Sequence, residues 1–505
     1  MGLPNGASLY YFLPESLLTL MTVLVLLLDL SPRIRGRGIV PYATALGLLL
    51  ALGATALQFR MDPAPAGLFH GMLARDGFGT FLKVVILLSS LGIVFLAAPY
   101  AARRGFGDGE FCCLLLAATL GMCLLASASD LLMVYLSLEL VSVMSFILAG
   151  FLRANLRSSE ASLKYVLYGA FASGTMIYGM SLLYGITGAT SFDGIRAGLT
   201  AAGGGLPPAM LLVIVLMIFA GYGYKMAAVP FHQWCPDVYE GAPTPVTAFL
   251  SVGPKAAGLA AAVRFFATAF PVVPADPSAP GGRLVYLLGR LDLSAVLAIL
   301  CVVTMTWGNL AALRQNNLKR MMAFSSIAHA GYMMTALVLL NGPARGALCF
   351  YLAVYLLMNL GAFFGVVVLE ERYGITEADQ CRGLGWKVPL LGVTMTIFLF
   401  SLTGLPPTAG FVGKMLLFGA AVEAKLIWLA VAGVLNSVVS LFYYARIVKA
   451  LYLDKPGEHD AEVDPVSGYE AFFLTLLAVP VILLGLQWDN LAVFADRSAE
   501  LLGMR

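Results

Sequence analysis

The sequence has few charged residues and lacks the loops that bind common cofactors. Only 12% of its 505 residues are charged, whereas a soluble protein carries about 25%. No G-x-G-x-x-G or G-x-x-x-x-G-K-[ST] motif occurs, so we predict no flavin, nicotinamide or ATP site. The 31 Lys and Arg nearly balance the 28 Asp and Glu, which argues against nucleic acid as a partner. A soluble enzyme and a nucleic-acid-binding protein are thus both disfavoured.

Cysteine pairs with metal-binding spacing are also missing. The seven cysteines are scattered through apolar stretches, and no two of them form a C-x-x-C motif. Neither an iron–sulfur cluster nor a structural zinc is predicted. We therefore expect no cofactor and no metal in this chain, so any chemistry must use the side chains themselves.

Long apolar runs dominate what is present, because 60% of the residues are hydrophobic. A helix needs about 20 mostly apolar residues to cross a bilayer. Fourteen runs of about this length occur, and they lack the alternation of a membrane β-barrel. The sequence predicts an all-α polytopic membrane protein of about 14 transmembrane helices, with the lipid bilayer as its solvent.

Basic residues are distributed unevenly between the connections. Fourteen Lys and Arg lie in the odd-numbered connections and seven in the even-numbered ones. By the positive-inside rule the odd connections are cytoplasmic, so both termini are predicted to be periplasmic in a bacterial inner membrane. Three Arg follow the first span and no Lys or Arg precedes it, which argues against a cleaved signal peptide.

Glycine and proline interrupt three of the predicted spans. Pro230 ends the seventh span, Gly253-Pro254 lies in the eighth, and Gly404-Leu405-Pro406-Pro407 lies in the twelfth. Proline opens a helix locally, and paired breaks are typical of inverted-repeat transporters. We predict broken helices at spans 7, 8 and 12 within two inverted five-helix repeats, spans 4–8 and 9–13. The corresponding units are residues 1–108, 109–272, 292–453 and 469–505.

Six ionisable residues lie within these spans, where a charge costs about 2.5–3.5 kcal/mol at the bilayer centre. They are Glu139, Lys164, Lys225, Lys255, His329 and Lys414. Glu139 lies near the middle of its span. It is either a protonated carboxyl bonded to Tyr135 or Ser142, or the counter-ion of an intramembrane lysine, for which Lys225 is the natural partner. We favour the counter-ion.

Each basic residue also has a structural interpretation. Lys225 could extend toward the polar segment after Pro230, and Lys255 and Lys414 could neutralise carbonyls that the prolines free. His329 is either a proton relay or a packed histidine bonded to Ser325.

Three further residues are explained adequately without a role in proton transfer. Lys164 has Glu160 four residues before it, and that surface pair accounts for it. His232 and Lys83 are expected at the membrane interface.

Three segments together resemble the antiporter-like membrane subunits of respiratory complex I. They are GYKMAAVPFHQWCPDVYEGAPTPVTAF at 223–249, NLKRMMAFSSIAHAGY at 317–332 and GLPPTAGFVGK at 404–414. Within this family the chain differs from subunit L, which continues into a lateral helix, and from subunit M, which typically has glutamate where this sequence has Lys414.

The resemblance implies roles for the same buried residues. Glu139 would tune Lys225, Lys255 and His329 would link a central polar axis, and Lys414 would face the exit. The family also places Lys164 on this axis. The implied activity is proton transfer from cytoplasm to periplasm, driven at a distance by quinone reduction.

The resemblance also implies what surrounds the chain. The NADH, flavin, iron–sulfur clusters and quinone would lie on other subunits, and the neighbours would include the paralogous subunit M and the small subunit K. Two alternatives remain at this point, an Mrp-type cation/proton antiporter subunit and a passive membrane scaffold.

Overall fold

The computed structural model describes residues 5–31, 38–59, 66–104, 107–202, 206–270, 272–274, 284–288, 291–455 and 464–500. Within these residues, thirteen helices are long and apolar enough to cross a membrane. They are α2 Leu13–Leu30, α3 Ile39–Gln58, α4 Gly77–Arg104, α5 Asp108–Ser127, α6 Leu131–Ala149, α7 Leu156–Thr187, α9 Pro208–Met226, α11 Thr244–Ala269, α12 Leu293–Ala312, α13 Leu318–Leu339, α14 Gly342–Tyr373, α18 Ile427–Tyr452 and α19 Gly468–Leu486. The predicted all-α, multi-span architecture is confirmed.

The predicted twelfth span consists of two short helices in the structure. Helix α16 (Pro389–Thr403) ends at Gly404, which has a positive φ, and α17 (Ala409–Glu423) begins after Thr408. The seventh span likewise ends early, because α9 stops at Met226 and the short α10 (Trp234–Gly241) follows.

The prediction of a break in the eighth span is wrong. Helix α11 runs without interruption from Thr244 to Ala269, with Pro254 inside it. Every residue in its apolar window is buried within the protein, so neighbouring helices enclose the backbone around this proline.

The remaining described elements are short. The other helices are α1 Asn5–Tyr11, α8 Phe192–Ala202, α15 Leu384–Lys387 and α20 Asp489–Glu500. Strands β1 (Ala66–Leu68) and β2 (Leu73–Arg75) form an antiparallel hairpin in which Ala66 pairs with Arg75. A second antiparallel sheet has the order β3 (Val272–Pro274), β4 (Leu284–Leu288), β5 (Leu291–Asp292).

Side-chain caps define where several spans begin. Four long helices are preceded by a residue whose side chain accepts a hydrogen bond from a backbone N–H of the first turn. These residues are Asp130, Asn155, Asn317 and Asn341. Such caps satisfy amide groups that have no partner within the helix. They therefore place the ends of these spans at defined residues.

The burial of the helices separates the centre of the molecule from its periphery. The apolar windows of α11 and α13 are completely buried, whereas those of α2 and α19 are only 28% and 22% buried. Outer helices expose large apolar side chains such as Leu136 on α6 and Phe171 on α7. An apolar exterior is expected where lipid or another membrane subunit covers the surface. The central helices α11 and α13 carry two of the residues selected from the sequence.

Candidate functional site

Four of the predicted site residues are buried basic side chains. Lys225, Lys255, His329 and Lys414 are each at most 4% exposed. They come from α9, α11, α13 and α17, so four helices contribute to one polar interior. A basic group cannot be placed there without partners that replace its hydration.

Lys225 lies in the last turn of α9 and contacts the neighbouring helix α6. Its Nζ donates a hydrogen bond to Ser142 Oγ at 3.0 Å. The helix ends one residue later, where Ala227 has a positive φ and its N–H bonds back to Gly223 and Tyr224. Lys225 is 1% exposed and its Nζ bonds to α6, rather than to the polar segment after Pro230.

Glu139 is near Lys225, but the direct pairing that we predicted is absent among the described residues. No ion pair joins the two side chains, and Ser142, which contacts Lys225, lies one turn after Glu139 on α6. Neither Tyr135 nor Ser142 bonds to the carboxylate, and Glu139 Oε1 is buried without a partner in the described part of the chain. Among the described residues, Lys225 therefore bonds to Ser142 rather than to the acid.

Lys255 contacts a group of hydroxyls on α13 and α14. Its Nζ donates to Ser326 Oγ at 2.6 Å, and Tyr355 Oη donates to the same oxygen at 3.0 Å. The ammonium also lies 5.7 Å from the centroid of the Tyr239 ring. Because α11 is continuous, Lys255 faces hydroxyls rather than carbonyls freed by Pro254.

His329 is held by tyrosines rather than by Ser325. Its Nδ1 lies 2.7 Å from Tyr351 Oη, and its Nε2 lies 3.4 Å from Tyr444 Oη. Ser325 instead bonds to Tyr444, so the predicted Ser325 contact is wrong. With a hydroxyl at each ring nitrogen, the imidazole can accept a proton on one side and release it on the other.

Lys414 caps the broken twelfth span. Its Nζ donates to the carbonyls of Leu402 and Thr403 at 3.0 and 2.8 Å, at the end of α16. The ammonium also lies 4.5 Å from the centroid of the Tyr332 ring. The predicted interaction with freed carbonyls is therefore present, and it places a cation at the negative end of a helix.

A polar cluster that the sequence did not indicate continues from Tyr332. Tyr332 Oη accepts a hydrogen bond from Asn309 at 2.9 Å, and Asn309 also contacts Asn436 and Tyr443 at 3.2 and 3.0 Å. All four are nearly or fully buried. Hydrogen-bonded groups of this kind offer a proton several successive acceptors.

Lys164 belongs to a larger charged cluster on the side of the molecule where α7 begins. It contacts Glu160 at 2.8 Å, as the i,i+4 interpretation predicts, but also Asp237 at 2.7 Å. Arg320 joins Asp237 at 2.7 Å and Glu240 at 2.9 Å.

These side chains line a cavity of about 220 Å³. Burial raises the pKa of Asp237, but hydrogen bonds from Lys164 and Arg320 outweigh it and leave that pKa below its ordinary value. Asp237 therefore stays ionised at the mouth of this cavity.

The structure contains two buried ion pairs that we did not predict from the sequence. Lys83 Nζ bonds to Glu15 at 2.6 Å, and Arg264 bonds to both carboxylate oxygens of Asp76. Lys83 and His232, which we expected at the membrane interface, are 5% and 8% exposed, so the protein itself encloses both side chains. The sequence did contain a signal for Glu15, because this residue is an acid inside the first apolar run.

Metal ligation is not supported by the described residues. Among them, no three His, Cys, Asp or Glu side chains are grouped closely enough to hold a metal ion. The seven cysteines are free thiols, and six of them are buried.

Known proteins resemble this chain over nearly its full length. A family model described as NADH:quinone oxidoreductase/Mrp antiporter, TM, matches residues 128–276 and 283–440. NADH-quinone oxidoreductase subunit N 2 of Sorangium cellulosum is 46% identical over 99% of both chains. Subunit N of Anaeromyxobacter sp. is 44% identical over 98% of both.

Solved structures show the same fold. A chain of respiratory complex I from Thermus thermophilus superposes with a TM-score of 0.77 at 32% identity, over 96% of this chain and 99% of that one. A chain of the Mrp complex from Dietzia sp. gives 0.81 at 20% identity, over 98% and 97%. The second similarity concerns the fold alone.

Proposed function

Because the chain belongs to the NADH:quinone oxidoreductase/Mrp antiporter family of membrane subunits, we propose that its buried basic residues form the path by which it translocates protons. The path runs along Glu139, Lys225, Lys255, His329 and Lys414. The relatives with 46% and 44% identity are subunits N of NADH-quinone oxidoreductase, and the chain is accordingly a multi-pass membrane subunit of that enzyme type. The residues of the path are our proposal.

One observation supports this path above all: three lysines and a histidine are buried together, and each contacts a hydroxyl or a carbonyl. Each buried charge costs several kcal/mol, and a protein that only needed packing would lose nothing by replacing it with an apolar side chain. The repeated cost is explained if these groups exchange protons with water during turnover.

Protons enter, in this proposal, at the cavity around Lys164, Asp237 and Arg320. The cavity opens on the face opposite the start of α2. The positive-inside distribution makes that face cytoplasmic and puts both termini in the periplasm. Ionised Asp237 attracts protons to this mouth, and Lys164 is paired with it.

Glu139 and Lys225 act as the switch. Ser142 contacts the lysine and lies one turn from the acid, so a small movement of α6 against α9 brings the two charges into contact or separates them. Contact favours protonated Lys225, and separation in a dry interior favours its neutral form. The released proton moves toward Lys255 and His329, and Lys414 then releases a proton to the periplasm.

Energy for this transfer comes from quinone reduction in neighbouring subunits. Moving one charge against 100 mV costs about 2.3 kcal/mol. NADH, flavin, iron–sulfur clusters and quinone are proposed to lie on those other subunits, with subunits M and K among the neighbours. Glu139 lies beside exposed apolar residues of α6 such as Leu136, a face suited to contact a neighbouring subunit.

The two halves carry equivalent parts of the path. We propose inverted repeats at 109–272 and 292–453, flanked by 1–108 and 469–505. The interrupted region after Lys225 and the interruption before Lys414 support this division, as do the equal 32-residue lengths of α7 and α14. Each repeat then provides one lysine at a helix interruption.

The experiment is substitution of Glu139→Gln in the assembled complex. We expect quinone reduction to continue while protons pumped per NADH oxidised fall strongly, because the amide cannot tune Lys225. Inverted membrane vesicles with a pH-sensitive dye measure this ratio. Glu110→Gln, which changes a half-exposed acid at the start of α5, is the matched control and leaves the ratio unchanged.

Two outcomes would contradict the proposal. Unchanged pumping in Glu139→Gln would favour a passive scaffold. The family model also includes Mrp antiporters, which makes cation/proton exchange the second candidate function. Pumping that requires Na⁺ or K⁺, and stops when choline replaces both, would favour that exchange.

A further inference from the structure

Helix α4 carries a buried polar stripe that the path above does not use. Asp76 precedes the helix, and Lys83 and Ser90 follow at intervals of seven residues. Residues seven apart lie on one face of a helix, about 10.5 Å apart along its axis. All three side chains are buried, so the stripe faces the protein interior.

The centre of the stripe is the ion pair between Lys83 and Glu15. The two side chains are 7% and 2% exposed, and Glu15 comes from the neighbouring span α2. Lys83 contacts Glu15 Oε1, while Oε2 is buried without a partner in the described part of the chain. The thiol of Cys123 on α5 is a titratable group beside the pair. The carboxylate thus keeps one oxygen available to accept a proton.

The end of the stripe toward the face where α2 and α4 begin reaches an open cavity. Arg264 binds Asp76 with two N–H groups and also donates to the carbonyl of Ala126. This pair lines a cavity of about 300 Å³ together with His70, Arg75 and Asp193. A charged cavity of this size is accessible to water.

The other end of the stripe lies next to α11, the helix that carries Lys255. Ser90 Oγ accepts a hydrogen bond from Thr119 on α5 at 2.8 Å. The adjacent Ser89 hydroxyl is buried without a partner in the described residues, and it lies 3.7 Å from where a Cβ on Gly253 would be. Gly253 lies on α11, the helix that carries Lys255. Hydroxyl groups of α4 therefore reach the helix of the proposed path.

We propose that the Glu15–Lys83 pair is a proton-transfer site on a second branch, which connects Lys255 with the face where α2 begins. This inference rests on the proposed function. A proton arriving through water binds Glu15 and loosens its contact with Lys83. The proton then leaves through water toward Asp76 and the cavity, and the carboxylate pairs with Lys83 again. Only O–H bonds form and break.

Apolar side chains separate the polar groups of this branch. Leu82 and Ile86 flank Lys83 on α4 and are completely buried. Such dry segments conduct only when water enters them, which prevents a permanent leak across the membrane. The branch is therefore gated by wetting, and its carriers are Glu15 and the groups at each end.

The test is the double variant Glu15→Gln/Lys83→Met in the assembled complex. It removes both charges together, so no unpaired charge remains and assembly is expected. We expect quinone reduction to persist while protons pumped per NADH oxidised fall, because transfer through this branch slows by about 10²-fold or more. An assembled double variant with an unchanged ratio would overturn the proposal.

A second variant separates proton transfer from packing. Lys83→Arg keeps the ion pair, so a merely structural pair predicts an unchanged pumping ratio. The proposal predicts a lower ratio, because a guanidinium binds carboxylate more strongly and disfavours its protonation. If the double variant fails to assemble, an unchanged ratio in Lys83→Arg overturns the proposal by itself.

The control is Arg104→Gln/Glu371→Gln, which removes a 2.7 Å ion pair on the opposite face and leaves the ratio unchanged. Comparison with Glu139→Gln separates a failure of the second branch from a failure of the main path. If the pumping ratio falls in Glu139→Gln but is normal in the Glu15 and Lys83 variants, the second branch is contradicted and the main path is supported.

Discussion

Lys225→Arg is expected to leave an assembled complex that reduces quinone but pumps almost no protons. Arginine keeps the positive charge and can still donate to Ser142, so the fold and the electrostatic balance are preserved. Arginine holds its proton much more tightly than lysine and does not release it at working pH, whereas a buried lysine can do so. Loss of a positioned proton carrier slows transfer by about 10²-fold or more.

The measurement compares proton uptake by inverted vesicles with NADH oxidation in the same sample. Lys449→Arg is the matched control, because Lys449 is 63% exposed at the end of α18 and, within the described part of the chain, its ion pair is with Asp454. That variant is expected to pump normally. Normal pumping by Lys225→Arg would mean that Lys225 acts as a fixed charge and not as a carrier.

Asp76→Ala is expected to have the largest effect on stability. Asp76 and Arg264 are each 3% exposed, so the substitution leaves a buried guanidinium without its counter-charge. Breaking a buried pair in this way costs about 3–5 kcal/mol. The variant also removes the hydrogen bond from the Gly79 N–H at the start of α4. We expect little assembled complex in the membrane and faster thermal inactivation of what remains.

Asp193→Ala provides the control for that experiment. Asp193 lines the same cavity, but its side chain is 85% exposed and pairs with Arg196 on its own helix. An exposed pair contributes little, so this variant is expected to assemble at the normal level. Equal assembly of the Asp76 and Asp193 variants would contradict the structural importance of the Asp76–Arg264 pair.

The spans were predictable because bilayer thickness fixes the length of an apolar run. The effect of a single proline was not, because it depends on the surroundings. Pro230 and Pro406-Pro407 lie where the helices end, whereas Pro254 lies inside a continuous helix enclosed by neighbours. Sequence alone does not show which backbone groups tertiary packing will satisfy.

Burial cost pointed to four basic residues that are buried in the structure but missed Lys83 and Arg264. The partners of these residues depend on helices far apart in the sequence. Lys225 contacts a serine 83 positions away, and Arg264 pairs with an acid 188 positions away. The ion pair of Lys83 was not predicted, because charges near the end of a span usually reach the interface. In this chain α2 brings Glu15 to it, which only the packing of the helices reveals.

A map of the assembled complex that resolves ordered water tests the central claim most directly. We predict water molecules that link Ser142 and Lys225 to Lys255, and Lys255 through Ser326 and Tyr355 to His329, with a further connection to Lys414. Closely packed apolar side chains between Lys225 and Lys255, with no water in any state of the enzyme during turnover, would contradict a proton path through these residues.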